Sequence, residues 1–190
     1  MADQSPSQTV GPFFSLGLIR GCENMLVNSK TAGQPIMIRG FVYDGKGVGV
    51  PDAAIEIWQA DGQGIFNHPD DPRHTKGDPN FFGFGRAPTD DEGEYWFKTI
   101  KPGAMPPARS ETYAPYINVR VFMRGLLIQA HTRLYFSDET EANATDPVLS
   151  SIEAARRNSL LAVLQSGKDV PTYRFDIRMQ GENETVFFNP

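Results

Sequence analysis

Thr172-Tyr173-Arg174-Phe175-Asp176-Ile177-Arg178-Met179 sets Tyr173, Phe175, Ile177 and Met179 on one side of an extended chain and Thr172, Arg174, Asp176 and Arg178 on the other. Successive side chains of a strand point to opposite faces, so a strict period of two with one apolar set predicts a strand that buries one face. Just before it, Ser166-Gly167-Lys168-Asp169 is a turn and Leu160 to Gln165 an apolar run. Further back, Asp146-Pro147 pairs a capping residue with a proline suited to the first turn, so a short helix begins there. That helix either continues to Leu164 or gives way to a hairpin ending in the Thr172 strand. The hairpin is the preferred reading, because the turn and the alternation after it fit together.

The same habit recurs upstream. Gln34 to Asp44 alternates Ile36, Ile38, Gly40 and Val42 against Met37, Arg39, Phe41 and Tyr43, and ends in the turn Asp44-Gly45-Lys46-Gly47. Ala53 to Gln59 sets Ile55 and Ile57 against Glu56 and Trp58, and Glu94 to Ile100 and Tyr116 to Met123 repeat the pattern. Short strands divided by Gly/Pro turns, without a strand-helix-strand rhythm, predict an all-β chain folded as an antiparallel β-sandwich with one or two short helices. Two stretches fall outside the pattern: residues 1–33, read as an N-terminal arm ahead of a domain over 34–190, and Gly62 to Glu92. Long irregular segments in a compact domain usually carry function or form interfaces.

Composition narrows the function classes. The 18 basic and 23 acidic residues are interspersed and give a net charge of −5, with no basic stripe to follow a phosphate backbone. One cysteine, Cys22, permits no internal disulfide and suits a reducing compartment, with the cytoplasm the default. Met1 to Phe14 lacks a basic segment followed by an apolar one, and no apolar run approaches the roughly 20 residues of a membrane span.

Three histidines leave little material for a metal centre. His68, Asp70, Asp71 and His74 form the densest cluster of donors, but Pro69 and Pro72 break any element that would fix their geometry, so the segment reads as a solvated loop. Gly83-Phe84-Gly85-Arg86 lacks the spacing and context of a nucleotide loop and reads as close packing or a turn. No Gly-x-Ser-x-Gly supports nucleophilic hydrolysis, and Cys22 has no signature of a catalytic thiol.

Leu126 to Phe136 is more informative. Leu126, Ile128, Ala130, Thr132, Leu134 and Phe136 form a mostly apolar face, and Leu127, Gln129, His131, Arg133 and Tyr135 form the other. Plain outer surface is the ordinary fate of such a set. It also suits a pocket for an anionic aromatic, because a guanidinium offers a rigid fork to a carboxylate, and Arg133 is the leading candidate for ligand contact.

Several segments, in order and together, carry a family resemblance: Ser7-Gln8-Thr9-Val10-Gly11-Pro12-Phe13-Phe14, Ile55-Glu56-Ile57-Trp58-Gln59-Ala60, Asp78-Pro79-Asn80-Phe81, Thr99-Ile100-Lys101-Pro102-Gly103, Thr132-Arg133-Leu134-Tyr135-Phe136, Tyr173-Arg174-Phe175-Asp176-Ile177-Arg178 and Gln180-Gly181-Glu182-Asn183-Glu184-Thr185-Val186-Phe187-Phe188. The chain resembles the intradiol ring-cleaving dioxygenases, and within them the α subunits of the heteromeric enzymes that act on 3,4-dihydroxybenzoate. The resemblance implies a reaction in which O2 opens that ring to 3-carboxy-cis,cis-muconate, as a step in aromatic-compound degradation. It also implies a ferric ion held by two tyrosines and two histidines in a catalytic β subunit.

At the matching positions this chain has Phe66, Met105, Tyr116 and Asn118, so the resemblance implies no metal and no catalytic residue of its own. What it implies instead is a partner role: Thr9, Gly11, Pro12 and Phe13 lining a cleft against a β subunit, Arg133 reaching the substrate, and assembly into a higher-order α/β oligomer. Neither a nucleic acid nor a membrane is implied as a partner.

Overall fold

A computed structural model describes residues 17–105 and 112–189. Among them are nine strands: β1 (Pro35–Tyr43), β2 (Ala54–Trp58), β3 (Phe84–Pro88), β4 (Glu94–Ile100), β5 (Tyr116–Phe122), β6 (Ala130–Phe136), β7 (Leu161–Gln165), β8 (Thr172–Arg174) and β9 (Ile177–Arg178). They run in the order β3-β2-β5-β6-β7-β8-β1-β4, with β9 also paired to β1. The sheet folds over so that β3-β2-β5-β6 faces β8-β1-β4 and β7 joins the halves. Between them lies one apolar core: Ile55, Ile57, Ile117, Val119, Val121 and Leu134 from one side, Ile36, Ile38, Val42, Phe97, Tyr173, Phe175 and Ile177 from the other.

The all-β sandwich expected from the alternation is therefore present. Most pairings are antiparallel, and three are parallel: β1 with β8, β1 with β9, and β6 with β7. Parallel neighbours need long crossovers, and each of these pairs is separated by a long stretch of chain. Between β6 and β7 that stretch contains two short helices, α1 (Thr140–Thr145) and α2 (Pro147–Ser151). The helix read at Asp146-Pro147 is α2, whose N-cap Asp146 accepts hydrogen bonds from the Val148 and Leu149 amides. α2 stops at Ser151, and β7 and β8 form the hairpin, with Val163 opposite Arg174 and Gln165 opposite Thr172.

The structure departs from the alternation in three places. The Thr172 to Met179 run keeps its inward set but divides at Phe175–Asp176, where the Phe175 carbonyl accepts from the Tyr95 hydroxyl at 2.7 Å and Asp176 accepts from the Phe41 amide at 3.2 Å. The run from Leu126 becomes a strand only at Ala130, and Leu127 and Ile128 stand exposed near the turn between β5 and β6. Within the irregular Gly62 to Glu92 stretch, β3 pairs with β2 along its length. Its alternation escaped notice because its inward positions are small, Gly85 and Ala87.

The described end of the N-terminal segment crosses from one half of the sheet to the other. Glu23 accepts through its carbonyl from the Arg86 amide of β3, while Asn24 and Leu26 exchange backbone hydrogen bonds with Lys98 of β4. Edge strands left bare invite foreign pairing, and this crossing covers both outer strands. Among the described residues, no helix is long and apolar enough to cross a membrane.

Candidate functional site

The outward faces of β2, β5 and β6 build the site row by row. Trp58 lies opposite Asn118, which lies opposite Arg133; the next row is Glu56, Arg120 and His131; and Tyr116 faces Tyr135. Directly opposite residues of adjacent strands share a face, so register alone assembles an aromatic, cationic and amide surface.

One end of this face is not surface. A second core of Ala60, Met105, Ala114, Tyr116, Tyr135, Leu149, Leu160 and Val186 covers it, with Phe66, Tyr113 and Phe188 packed alongside. Tyr135, on the outward face by alternation, is fully buried beneath that layer. Its hydroxyl donates to Asp146 Oδ1 at 3.2 Å, and Arg133 Nη1 donates to the same hydroxyl at 3.4 Å. The Arg133 guanidinium lies over the Tyr116 ring, 4.2 Å from its centroid. A guanidinium on an aromatic face is held by the ring quadrupole, more strongly where water is excluded.

Asp146 ties the arrangement together. This fully buried carboxylate caps α2, accepts from the Ala114 amide at 3.0 Å, and takes the Tyr135 hydroxyl. Burial opposes the charge on Arg133, yet the Tyr135 hydroxyl, Tyr116 and the Asp146 carboxylate outweigh it and raise its pKa. Burial also raises the phenols of Tyr116 and Tyr135 above the usual tyrosine value, against the pull of the Arg133 charge. His131 titrates below the ordinary histidine value because it is partly buried and faces Arg120 and Arg133.

Phe66, Met105, Tyr116 and Asn118, the positions that the resemblance sets against metal ligands, lie at or beside this centre. Phe66 stacks on Trp58 with ring centroids 5.9 Å apart, Met105 pairs through its backbone with Tyr113, and Asn118 lies beside Tyr116 on β5. Ferric iron is a hard cation that takes anionic oxygen and imidazole donors. Here a phenyl ring offers no donor, a thioether offers a soft one, one phenol is held protonated by burial, and a fixed cation stacks on that phenol. These residues do not fit a ferric ion.

The loop cluster spends its groups on its own backbone. Asp71 takes Arg73 at 2.8 Å and the Phe66 amide at 3.1 Å, His74 Nδ1 lies 2.9 Å from the Asp71 carbonyl, and His68 receives the Asp70 amide. Asp71 is mostly buried, unlike the solvated carboxylate read for that loop, while Asp70 is open to solvent. Gly83 and Gly85 sit where a Cβ would meet the Gln59 carbonyl at 2.3 Å and the Leu26 side chain at 2.6 Å, the close packing read from their run. Cys22 is exposed. Thr9, Gly11, Pro12 and Phe13 lie outside the described residues.

A family model described as a dioxygenase matches residues 11–181. The chain belongs to that family. The resemblance to intradiol dioxygenases carried by the short motifs therefore holds. Among dioxygenase relatives, the protocatechuate 3,4-dioxygenase alpha chain of Pseudomonas putida is 42% identical over 198 residues, covering 98% of this chain and 96% of that one. The protocatechuate 3,4-dioxygenase beta chain of Burkholderia cepacia is 32% identical over 170 residues, covering 86% and 72%. The fold is shared with the dioxygenase domain of a dioxygenase–carbohydrate-binding fusion from Streptomyces sp. SirexAA-E, at a TM-score of 0.61 and 24% identity, covering 94% and 99%.

Sequence reasoning singled out Arg133 and Tyr135, and missed that Asp146 holds the Tyr135 hydroxyl to which Arg133 donates. Its only visible signal was the Asp-Pro helix start. The aromatic groove formed beside Trp58 was missed as well, although Glu56 and Trp58 already stood together on the outward side of their strand.

Proposed function

We propose that this chain is the iron-free α subunit of a heteromeric protocatechuate 3,4-dioxygenase, a cytoplasmic enzyme that opens 3,4-dihydroxybenzoate with O2 to 3-carboxy-cis,cis-muconate. Fe(III) belongs to the partner β subunit. The arm over 1–33 and the domain over 34–190 divide the work: Thr9, Gly11, Pro12 and Phe13 line the cleft at the α/β interface, and the domain presents Arg133. The observation that carries the iron-free reading is the guanidinium of Arg133 stacked on Tyr116 amid Phe66 and Met105, in place of a donor set. Likeness over nearly the whole chain to an α chain, and more distantly to a β chain, supports the pairing of two chains of one fold in a higher-order oligomer.

The chain's own chemistry is positioning. A Gly-Pro arm gives a rigid wall with little rotamer entropy to lose, and fixed walls convert binding energy into orientation of the reacting ring. Nη1 of Arg133 points to Tyr135, and its other N–H groups have no hydrogen-bond acceptor among the described residues, which supports a role in receiving a carboxylate. In the assembled enzyme, Arg133→Ala is expected to raise the KM for protocatechuate by about tenfold or more, the worth of a charge-assisted hydrogen bond. The engagement of Arg133 by Tyr116 and Tyr135 favours one other reading, in which it only braces the fold. An unchanged KM would make this subunit a scaffold.

A further inference from the structure

Arg133 carries its charge on a side chain of several rotatable bonds, and such side chains lose rotamer freedom when a ligand immobilises them. Two contacts remove that freedom in advance. The Tyr116 ring, its centroid 4.2 Å from the guanidinium carbon, sets the plane of the group. Tyr135, two residues along the same strand and on the same face, accepts from Nη1 at 3.4 Å and sets the rotation within that plane. A planar fork held in this way leaves Nε and Nη2 side by side, an edge that a carboxylate can meet with two hydrogen bonds.

The hydroxyl that does this is itself fixed. Tyr135 and Asp146 are both fully buried, and the hydroxyl donates its one proton to Asp146 Oδ1 at 3.2 Å. A hydroxyl whose proton is committed to a carboxylate turns its lone pairs to other donors, and successive hydrogen bonds polarise one another. Asp146 keeps partners without the phenol: the Val148 and Leu149 amides also donate to Oδ1, and the Ala114 amide donates to Oδ2. The carboxylate is therefore satisfied by backbone, and what the Tyr135 hydroxyl adds is its contact with the guanidinium.

We propose that Tyr135 is a positioning residue for Arg133: anchored on Asp146, it holds the guanidinium in its receiving orientation before the substrate carboxylate arrives. The inference rests on the substrate-contact reading of Arg133 given above and adds the group that fixes it. A residue of this kind supports ground-state and transition-state binding alike, so its loss raises KM and leaves kcat in place.

Steady-state kinetics of the full-length chain, purified with its co-expressed partner, test this with the parent, Tyr135→Phe, Arg133→Ala and the double variant side by side. Tyr135→Phe removes one oxygen and leaves a ring to fill the same space. It should raise the KM for protocatechuate by roughly three- to tenfold, the worth of one immobilised side chain, with kcat within about twofold of the parent. Inhibition by catechol, which lacks the carboxylate, should be unchanged, a separation that loosened packing would not give. In the Arg133→Ala background the second substitution should add nothing, because residues that act as one unit are not additive. An unchanged KM in Tyr135→Phe beside a raised one in Arg133→Ala would overturn the proposal and keep the substrate contact, whereas an unchanged KM in both would overturn both. Equal weakening of catechol, or a further rise on top of Arg133→Ala, would also overturn it, since Tyr135 would then act by itself or through packing.

Discussion

Gly40→Ala is expected to abolish the native fold or destabilise it by about 4 kcal/mol or more, among the largest effects a single methyl group can have. A Cβ at Gly40 would lie 1.7 Å from the Phe175 carbonyl oxygen and 2.6 Å from its carbon. Backbone, not a flexible side chain, occupies the space, so the chain itself has to move. Moving the Phe175 carbonyl breaks its hydrogen bond from Tyr95 and pulls against the Phe175 amide, which donates to the Arg39 carbonyl at 2.8 Å. These contacts hold β8 and β9 against β1, where the C-terminal strands join the far half of the sandwich. Soluble yield and urea unfolding of the purified complex check this. A variant within about 1 kcal/mol of the parent, the centre of ordinary single substitutions, would show that the sheet yields there at little cost.

Asp146→Ala is expected to cost about 3–5 kcal/mol, since it strands several buried donors in one step. The Ala114, Val148 and Leu149 amides and the Tyr135 hydroxyl all lose their acceptor. The helix cap alone is worth about 1 kcal/mol, so a loss limited to that value would mean that the remaining donors find water. Asp146→Asn separates charge from shape. Its amide oxygen can still cap α2, but its nitrogen would face the Ala114 amide donor, so an intermediate loss is expected. If Asn were as stable as Asp, the negative charge beneath Tyr135 and Arg133 would contribute nothing. Thermal and urea unfolding of the two variants side by side give the comparison.

Much of the sandwich was legible because burial on one face forces a period of two into the sequence. Tyr173, Phe175 and Ile177 alternate because, beside Ile36 and Ile38, they face Ile55, Ile117 and Leu134 across one core, and the Asp146-Pro147 start is legible because capping is local. β3 was not legible, because its inward positions are a glycine and an alanine and carry almost no hydrophobic signal. The burial of Tyr135 was not legible for a different reason. Strand alternation says which face a residue takes, whereas the layer covering that face comes from Met105, Leu149, Leu160 and Val186, all distant in sequence. The same limit hid the reach of Asp146, whose partners Ala114 and Tyr135 belong to other parts of the chain.

The replaced ligand positions gain a physical meaning from this packing. Met105 and Tyr116 are buried in one cluster with Phe66 packed against it, and the Arg133 guanidinium lies over the Tyr116 ring, so side chains fill the centre and its positive charge is a guanidinium. On the proposed reading, a chain built this way acts on substrate through shape and charge and relies on a partner for the ring-opening step.

Iron content decides the matter most directly. Elemental analysis and visible absorption should be measured on this chain purified by itself and on its complex with the β subunit. Iron and its tyrosinate colour are expected only in the complex, at about one equivalent per α/β pair. One equivalent of iron with tyrosinate charge-transfer absorption on this chain alone would contradict it.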